Sequence, residues 1–152
     1  MGLNSGAVFD AAVSHAMSLG VFDRVSKHEP KSKPGSGLTL ALWAQRVTPV
    51  AAHSGLAVTS ARLVLNERIY TNMLADPQDE IDPRVTSATD LLMNAYLGDF
   101  TLGDLVSYVD VFGRHGVLLD AQAGYVNQDG ALLRVMTITL PLIISDVWIQ
   151  VA

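Results

Sequence analysis

The chain has no cysteine among its 152 residues. That excludes a structural disulfide, a thiolate nucleophile and any zinc site that needs cysteine ligands. Charge is also scarce. Charged residues make up 16% of the chain, against about 25% in ordinary soluble domains. A surface so poor in charge suits a subunit that buries part of itself against partners, or else an alanine- and glycine-rich monomer. Long apolar runs are missing. The richest cluster, Leu140 to Ile144, is interrupted by Pro141 and closed by Ser145 and Asp146, far short of the roughly 20 residues of a membrane helix. The first residues, Met1-Gly2-Leu3-Asn4-Ser5, have neither a basic region nor an apolar stretch, so no signal peptide is expected. Gly6 stands where a myristoylation motif needs Ser or Thr.

Catalytic signatures are absent as well. There is no Gly-rich phosphate loop with a following Lys, no GxSxG elbow and no HExxH pair. The histidines are His15, His28, His53 and His115. His15 falls on a helical stripe, where a core or boundary role outweighs a ligand role; the other three fall in loops. The acidic run Asp76, Asp79, Glu80 and Asp82 lacks the alternation and terminal Glu of a calcium loop, and reads as a linker with a helix cap. No basic stripe with interleaved aromatics suggests nucleic-acid binding. The expectation is a non-enzyme without cofactor or metal.

The charges that are present are unevenly placed. Residues 1–75 hold seven Lys/Arg against four Asp/Glu; residues 76–152 hold three against eleven. Such a split orients partners.

Residues 5–19 carry Val8, Ala12, His15, Ala16 and Leu19 at helical spacing, with Asn4 or Ser5 as cap and Gly20 as stop. Residues 26–37, rich in Lys, Ser, Pro and Gly, read as a flexible loop. Alternation predicts a strand over 38–48 and a longer one over 57–73. In the latter Ala61, Leu63, Leu65 and Ile69 share one side, and Arg62, Val64, Asn66, Arg68 and Tyr70 the other. An acidic linker over 76–82 leads to Asp82-Pro83, a helix start. Val85, Ala88, Leu92, Ala95 and Tyr96 form the stripe of a helix over 83–97, with Gly98 to close it. Residues 105–112 alternate and read as a strand, the alternative being a short helix opened by Gly103 and Asp104. Asp129-Gly130 predicts a hairpin turn before a strand over 132–140, with Pro141 as an edge or bend. Residues 147–151 extend that strand or belong to a C-terminal arm over 145–152. The sum is one α+β domain over 1–152, a mostly antiparallel sheet with helices packed on one face.

Candidate interface residues are Arg62, Arg68, Tyr70 and Trp148, of the types that anchor protein contacts, and the loop lysines Lys27, Lys31 and Lys33.

The order of elements is similar to that of the tail terminator proteins of long-tailed phages. The stretches Leu118-Leu119-Asp120-Ala121-Gln122-Ala123-Gly124-Tyr125-Val126 and Arg134-Val135-Met136-Thr137-Ile138-Thr139-Leu140-Pro141-Leu142-Ile143-Ile144-Ser145-Asp146-Val147-Trp148 resemble terminators of actinobacterial phages and prophages. The resemblance implies a structural protein of the virion, assembled in the host cytoplasm. It implies a homo-hexameric ring on the end of the tail tube that stops tube growth and offers the surface for head attachment. The implied partners are further copies of the chain, the tail tube protein and a head completion or connector protein, with no direct nucleic-acid recognition and no membrane. Open alternatives are a head–tail connector or tail-completion protein, a small metal- or ligand-binding domain or enzyme using His28, His53, His115 and the acidic linker, and a toxin–antitoxin or regulatory partner.

Overall fold

The computed structural model describes residues 2–30, 37–51, 57–73 and 78–151. In chain order the elements are α1 (Ser5–Ser18), β1 (Arg24–Ser26), β2 (Thr39–Val50), β3 (Val58–Asn72), a single 3-10 turn (Gln78–Glu80), α2 (Ile81–Gly98), β4 (Tyr108–Val109), β5 (Asp120–Gln128) and β6 (Ala131–Ile149). The strands form one curled sheet in the order β1-β2-β3-β6-β4, with β5 also paired to β6. Every pairing is antiparallel except β1 with β2. The expected α+β class, with helices on one side of a mostly antiparallel sheet, is what the chain adopts.

Period-two alternation decides which way the sheet faces. Leu42 of β2, Glu67 of β3 and Ile138 of β6 stand opposite one another, as do Leu40, Ile69 and Met136. These rows, with Leu63, Leu65, Leu140 and Leu142, meet Val8, Ala12 and Ala16 of α1 and Val85, Ala88, Leu92 and Tyr96 of α2 in the main core. Small residues on α1 let it lie close to α2. On the opposite side of the sheet, Ala41, Tyr70, Leu133 and Val135 form a second, smaller cluster, with Trp43 and Val126 against it.

The long hairpin of β5 and β6 turns at Asp129 and Gly130, whose φ angles are 51° and 76°. Two successive left-handed residues are what a two-residue type I′ turn needs, and Asp-Gly supplies them. Replacing Gly130 with valine forces a β-branched side chain into that conformation, at about 1–2 kcal/mol. The thermal midpoint is expected to drop by about 3–6 °C; an unchanged melting curve would contradict the turn.

Several boundaries differ from the sequence reading. Asn4 adopts φ 50°, and neither it nor Ser5 makes a side-chain cap on α1. Helix α2 begins at Ile81 rather than Pro83, and Asp82 does not cap it: its carboxylate accepts from Arg134 Nε at 2.9 Å. Gly98 is still helical, and Asp99 ends the helix. The stretch read as a flexible loop over 26–37 begins with Ser26 still in strand β1, paired along β2; residues 31–36 lie outside the described residues. The strand expected over 105–112 shrinks to Tyr108–Val109. Leu102, Gly103 and Asp104 are all left-handed, at 48°, 66° and 66°, and the Asp110 N–H turns back to the Pro141 carbonyl at 3.0 Å.

Pro141 does not end its strand. It stands opposite Val64 in the sheet interior. Its carbonyl faces the side where β5 pairing has stopped at Thr139 and β4 pairing starts at Leu142. In an antiparallel strand the nitrogen of a residue faces the same side as its carbonyl, so the missing donor points at the junction of two strands and no ladder bond is lost. Strand β6 then runs on through Trp148, opposite Thr59. Of the two readings of the last residues, extension of the strand holds as far as Ile149.

Candidate assembly surface

Strand β6 is crossed near its end by the segment that follows α2. Ser107 N–H donates to the Ile143 carbonyl at 2.7 Å and Asp110 N–H to Pro141. The chain then forms a tight loop over 110–119. Asp110, buried to 3% exposure, is its organiser. Its carboxylate accepts the Arg114 N–H and the His115 N–H, each at 2.8 Å. Tyr108 Oη lies 2.7 Å from His115 Nε2, the Arg62 guanidinium donates to the His115 carbonyl, and Leu119 N–H returns to the Val111 carbonyl at 3.1 Å. Burial and the Asp110 carboxylate hold the Tyr108 hydroxyl above the usual tyrosine range.

This loop presents an apolar side chain to solvent. Phe112 is 93% exposed and Phe100, at the end of α2, 52%. Between them lies a cleft of about 390 Å³, lined also by Tyr108, Val109, Val111 and Arg114. The phenyl ring stands in water on a loop whose backbone is tied at these points, so little backbone entropy is left to lose if the ring is buried. The sequence reading missed it. Phe112 sits in an alternating run, and its exposure follows from the loop, which alternation does not reveal.

The residues expected at an interface scatter. Arg62 is 8% exposed and lies beneath the 110–119 loop; its Nε has no hydrogen-bond partner. Arg68 donates from Nε to Thr137 Oγ1 at 2.9 Å and stacks over Trp43 at 5.3 Å, on the face away from the helices. Tyr70 belongs to the small cluster there, and burial raises its hydroxyl pKa. Trp148 is half-buried against the main core. Lys27 pairs with Asp10 of α1 at 2.9 Å. Lys31 and Lys33 lie outside the described residues. The structure therefore brings Arg62 to the phenyl loop but separates it from Arg68, Tyr70 and Lys27.

Among the described residues no group of three or more His, Asp or Glu could hold a metal ion. His15 meets Asp99 Oδ2 at 2.9 Å and stands edge-on to Tyr96; the Gly103 N–H and then His15 hold the Asp99 carboxyl below its usual range. His28 is exposed, His115 is held in the loop, and His53 lies outside the described residues. No helix among the described residues is long and apolar enough to cross a membrane.

One buried group was not foreseen. Glu67 is fully buried between Leu42 and Ile138. One carboxyl oxygen contacts Tyr96 Oη, which also lies 3.3 Å from the Ala12 carbonyl, and the other oxygen has no partner. Burial, opposed by the Tyr96 hydrogen bond, pushes the Glu67 carboxyl up to about 8. The same burial, with Glu67 beside it, raises Tyr96 well above the usual tyrosine value. Alternation had skipped this position between Leu65 and Ile69; the signal was a carboxylate on an apolar row.

No protein-family model matches the chain, and no curated protein matches it significantly.

Proposed function

We propose that the chain is a non-catalytic assembly subunit, a phage tail terminator. Copies form a homo-hexameric ring on the completed tail tube, stop further addition of tube subunits and offer the surface to which the head completion protein attaches. It acts in the virion at the head–tail interface, through shape and charge matching and without covalent chemistry. The specific assignment to tails rests on the sequence resemblance. The observation that carries assembly itself is the pre-ordered phenyl cleft, with Phe112 almost wholly in water. Exposed aromatics rimmed by polar residues mark contact sites. The charge split supports a polar ring: the basic half supplies β1 to β3 and the acidic half α2 and β4 to β6.

The reading predicts that light scattering gives six times the mass of one chain or a multiple of that, and that negative-stain images of the protein mixed with tail tubes show density at one tube end. A monomer at high concentration refutes the ring; binding to the head connector alone favours a connector. Phe112→Asp places a charge in the proposed contact. A hot-spot loss of about 2 kcal/mol or more corresponds to roughly 30-fold weaker association. Because the phenyl ring is exposed in the single chain, the melting temperature measured at concentrations where both proteins are monomeric should stay within about 1 °C. Unchanged mass on dilution would remove Phe112 from the contact.

A further inference from the structure

We infer that the free edge of β5 pairs with the same edge of a second copy, antiparallel and about a two-fold axis at Gly124. The two outer edges of the sheet are treated differently. The β2 edge is covered by β1 at Thr39 to Ala41, irregular between Ala44 and Arg46, and carries Pro49. Covering, bulging and proline are the devices that stop an edge from pairing. Strand β5, nine residues long, has a strand on one side only among the described residues. It contains no lysine, no proline and no bulge, and Asp120 is its only charge.

The sequence of this edge is complementary to itself. A two-fold axis perpendicular to the sheet keeps residues of one face opposite residues of the same face. Centred on Gly124, it overlaps all nine residues. Asp120 then faces Gln128 of the second copy, Gln122 faces Val126, and Ala123 faces Tyr125, a small residue against a large one. No like charges oppose each other. The turn at Asp129 and Gly130 of the second copy then falls beyond Asp120, outside the paired segment.

A two-fold contact cannot by itself close a ring larger than a pair, so this one is additional to the ring contact and independent of the tail reading. Absence of native cysteine makes the test clean. A Cβ at Gly124 meets only Val135 Cγ2, at 3.7 Å, so Gly124→Cys is tolerated and lies on the axis. Mild oxidation should convert most Gly124→Cys chains to a disulfide-linked dimer, while Gln128→Cys, far from the axis, stays reduced. Ala123→Lys should halve the mass found by light scattering, from the twelve chains of two edge-paired rings to the six of one ring. Equal oxidation of the two cysteine variants, or an unchanged mass for Ala123→Lys, overturns the pairing. In a Phe112→Asp background Gly124→Cys should still cross-link. A six-chain mass without the Gly124 cross-link refutes the edge contact and leaves the ring; a cross-linked dimer with nothing larger refutes the ring and leaves the edge contact.

Discussion

Replacing Glu67 with glutamine should flatten the pH dependence of stability and make the protein more stable than the native chain above pH 8. The native carboxyl has a folded pKa of about 8 against an ordinary value of 4.5. The folded state therefore binds the proton more tightly than the unfolded state between those values. Its stabilising contribution is full below pH 4.5, declines as pH rises, and is gone above pH 8. At ~1.4 kcal/mol per pH unit, the span amounts to ~4–5 kcal/mol. The geometry gives the same protonation state. Tyr96 has one hydroxyl proton but two neighbours, the Ala12 carbonyl and Glu67. If the tyrosine donates to Ala12, Glu67 must donate to the tyrosine, and a neutral carboxyl does so. The partnerless oxygen is then a carbonyl, cheaper to bury than a carboxylate. Glutamine keeps a donor for Tyr96 and cannot ionise. Urea unfolding at pH 5.5, 7 and 9 should show the native chain losing several kcal/mol across the series and Glu67→Gln staying nearly level. Parallel profiles would refute a neutral Glu67.

Asp110→Ala should cost about 2–4 kcal/mol and abolish assembly together. The side chain is buried and is the acceptor for two backbone N–H groups. Removing it strands both donors, and each unpaired buried donor costs about 1–3 kcal/mol. The loop they belong to holds Phe112 and covers Arg62, so its loss unfixes the phenyl ring and uncovers a buried cation. Asp110→Asn retains one acceptor and should fall between the two. Hydrogen exchange is the direct reading: the amides of Arg114 and His115 should lose protection while those of β3 retain theirs. Unaltered exchange at both amides would show that something else organises the loop.

Local chemistry made some of this fold readable in sequence. Strand β3 and the β5–β6 turn follow from alternation and from Asp129-Gly130. The stripe of α2 follows from Val85, Ala88, Leu92 and Tyr96. What escaped depends on contacts distant in sequence. The length of β4 is set by where β6 ends its pairing with β5. Pro141 passes unnoticed through a strand because its nitrogen faces a junction that two other strands create. Asp82 reads as a cap, but Arg134, 52 residues away, takes its carboxylate. Glu67 stands on an apolar row in the sequence, but the Tyr96 hydroxyl that partners it comes from 29 residues away. Phe112 is an ordinary member of an apolar run until the loop turns it outward. The anchor residues chosen by type, Arg62, Arg68, Tyr70 and Trp148, are spread over three environments, since residue type does not report which face a strand exposes.

The position of β6 bears on how the molecule is made. It is flanked on both sides, by β3 along one edge and by β5 and β4 along the other, yet it comes after all the other described elements in chain order. Until it emerges, β3 has an open edge and the apolar rows beneath α1 and α2 lack their middle strand. The β3–β6 pairing joins Val58 to Ile149, a closure over most of the chain. Topologies with such distant pairings fold slowly, so the early part of the domain waits with its apolar face uncovered. That interval is when a nascent chain is most exposed to aggregation and most dependent on chaperones.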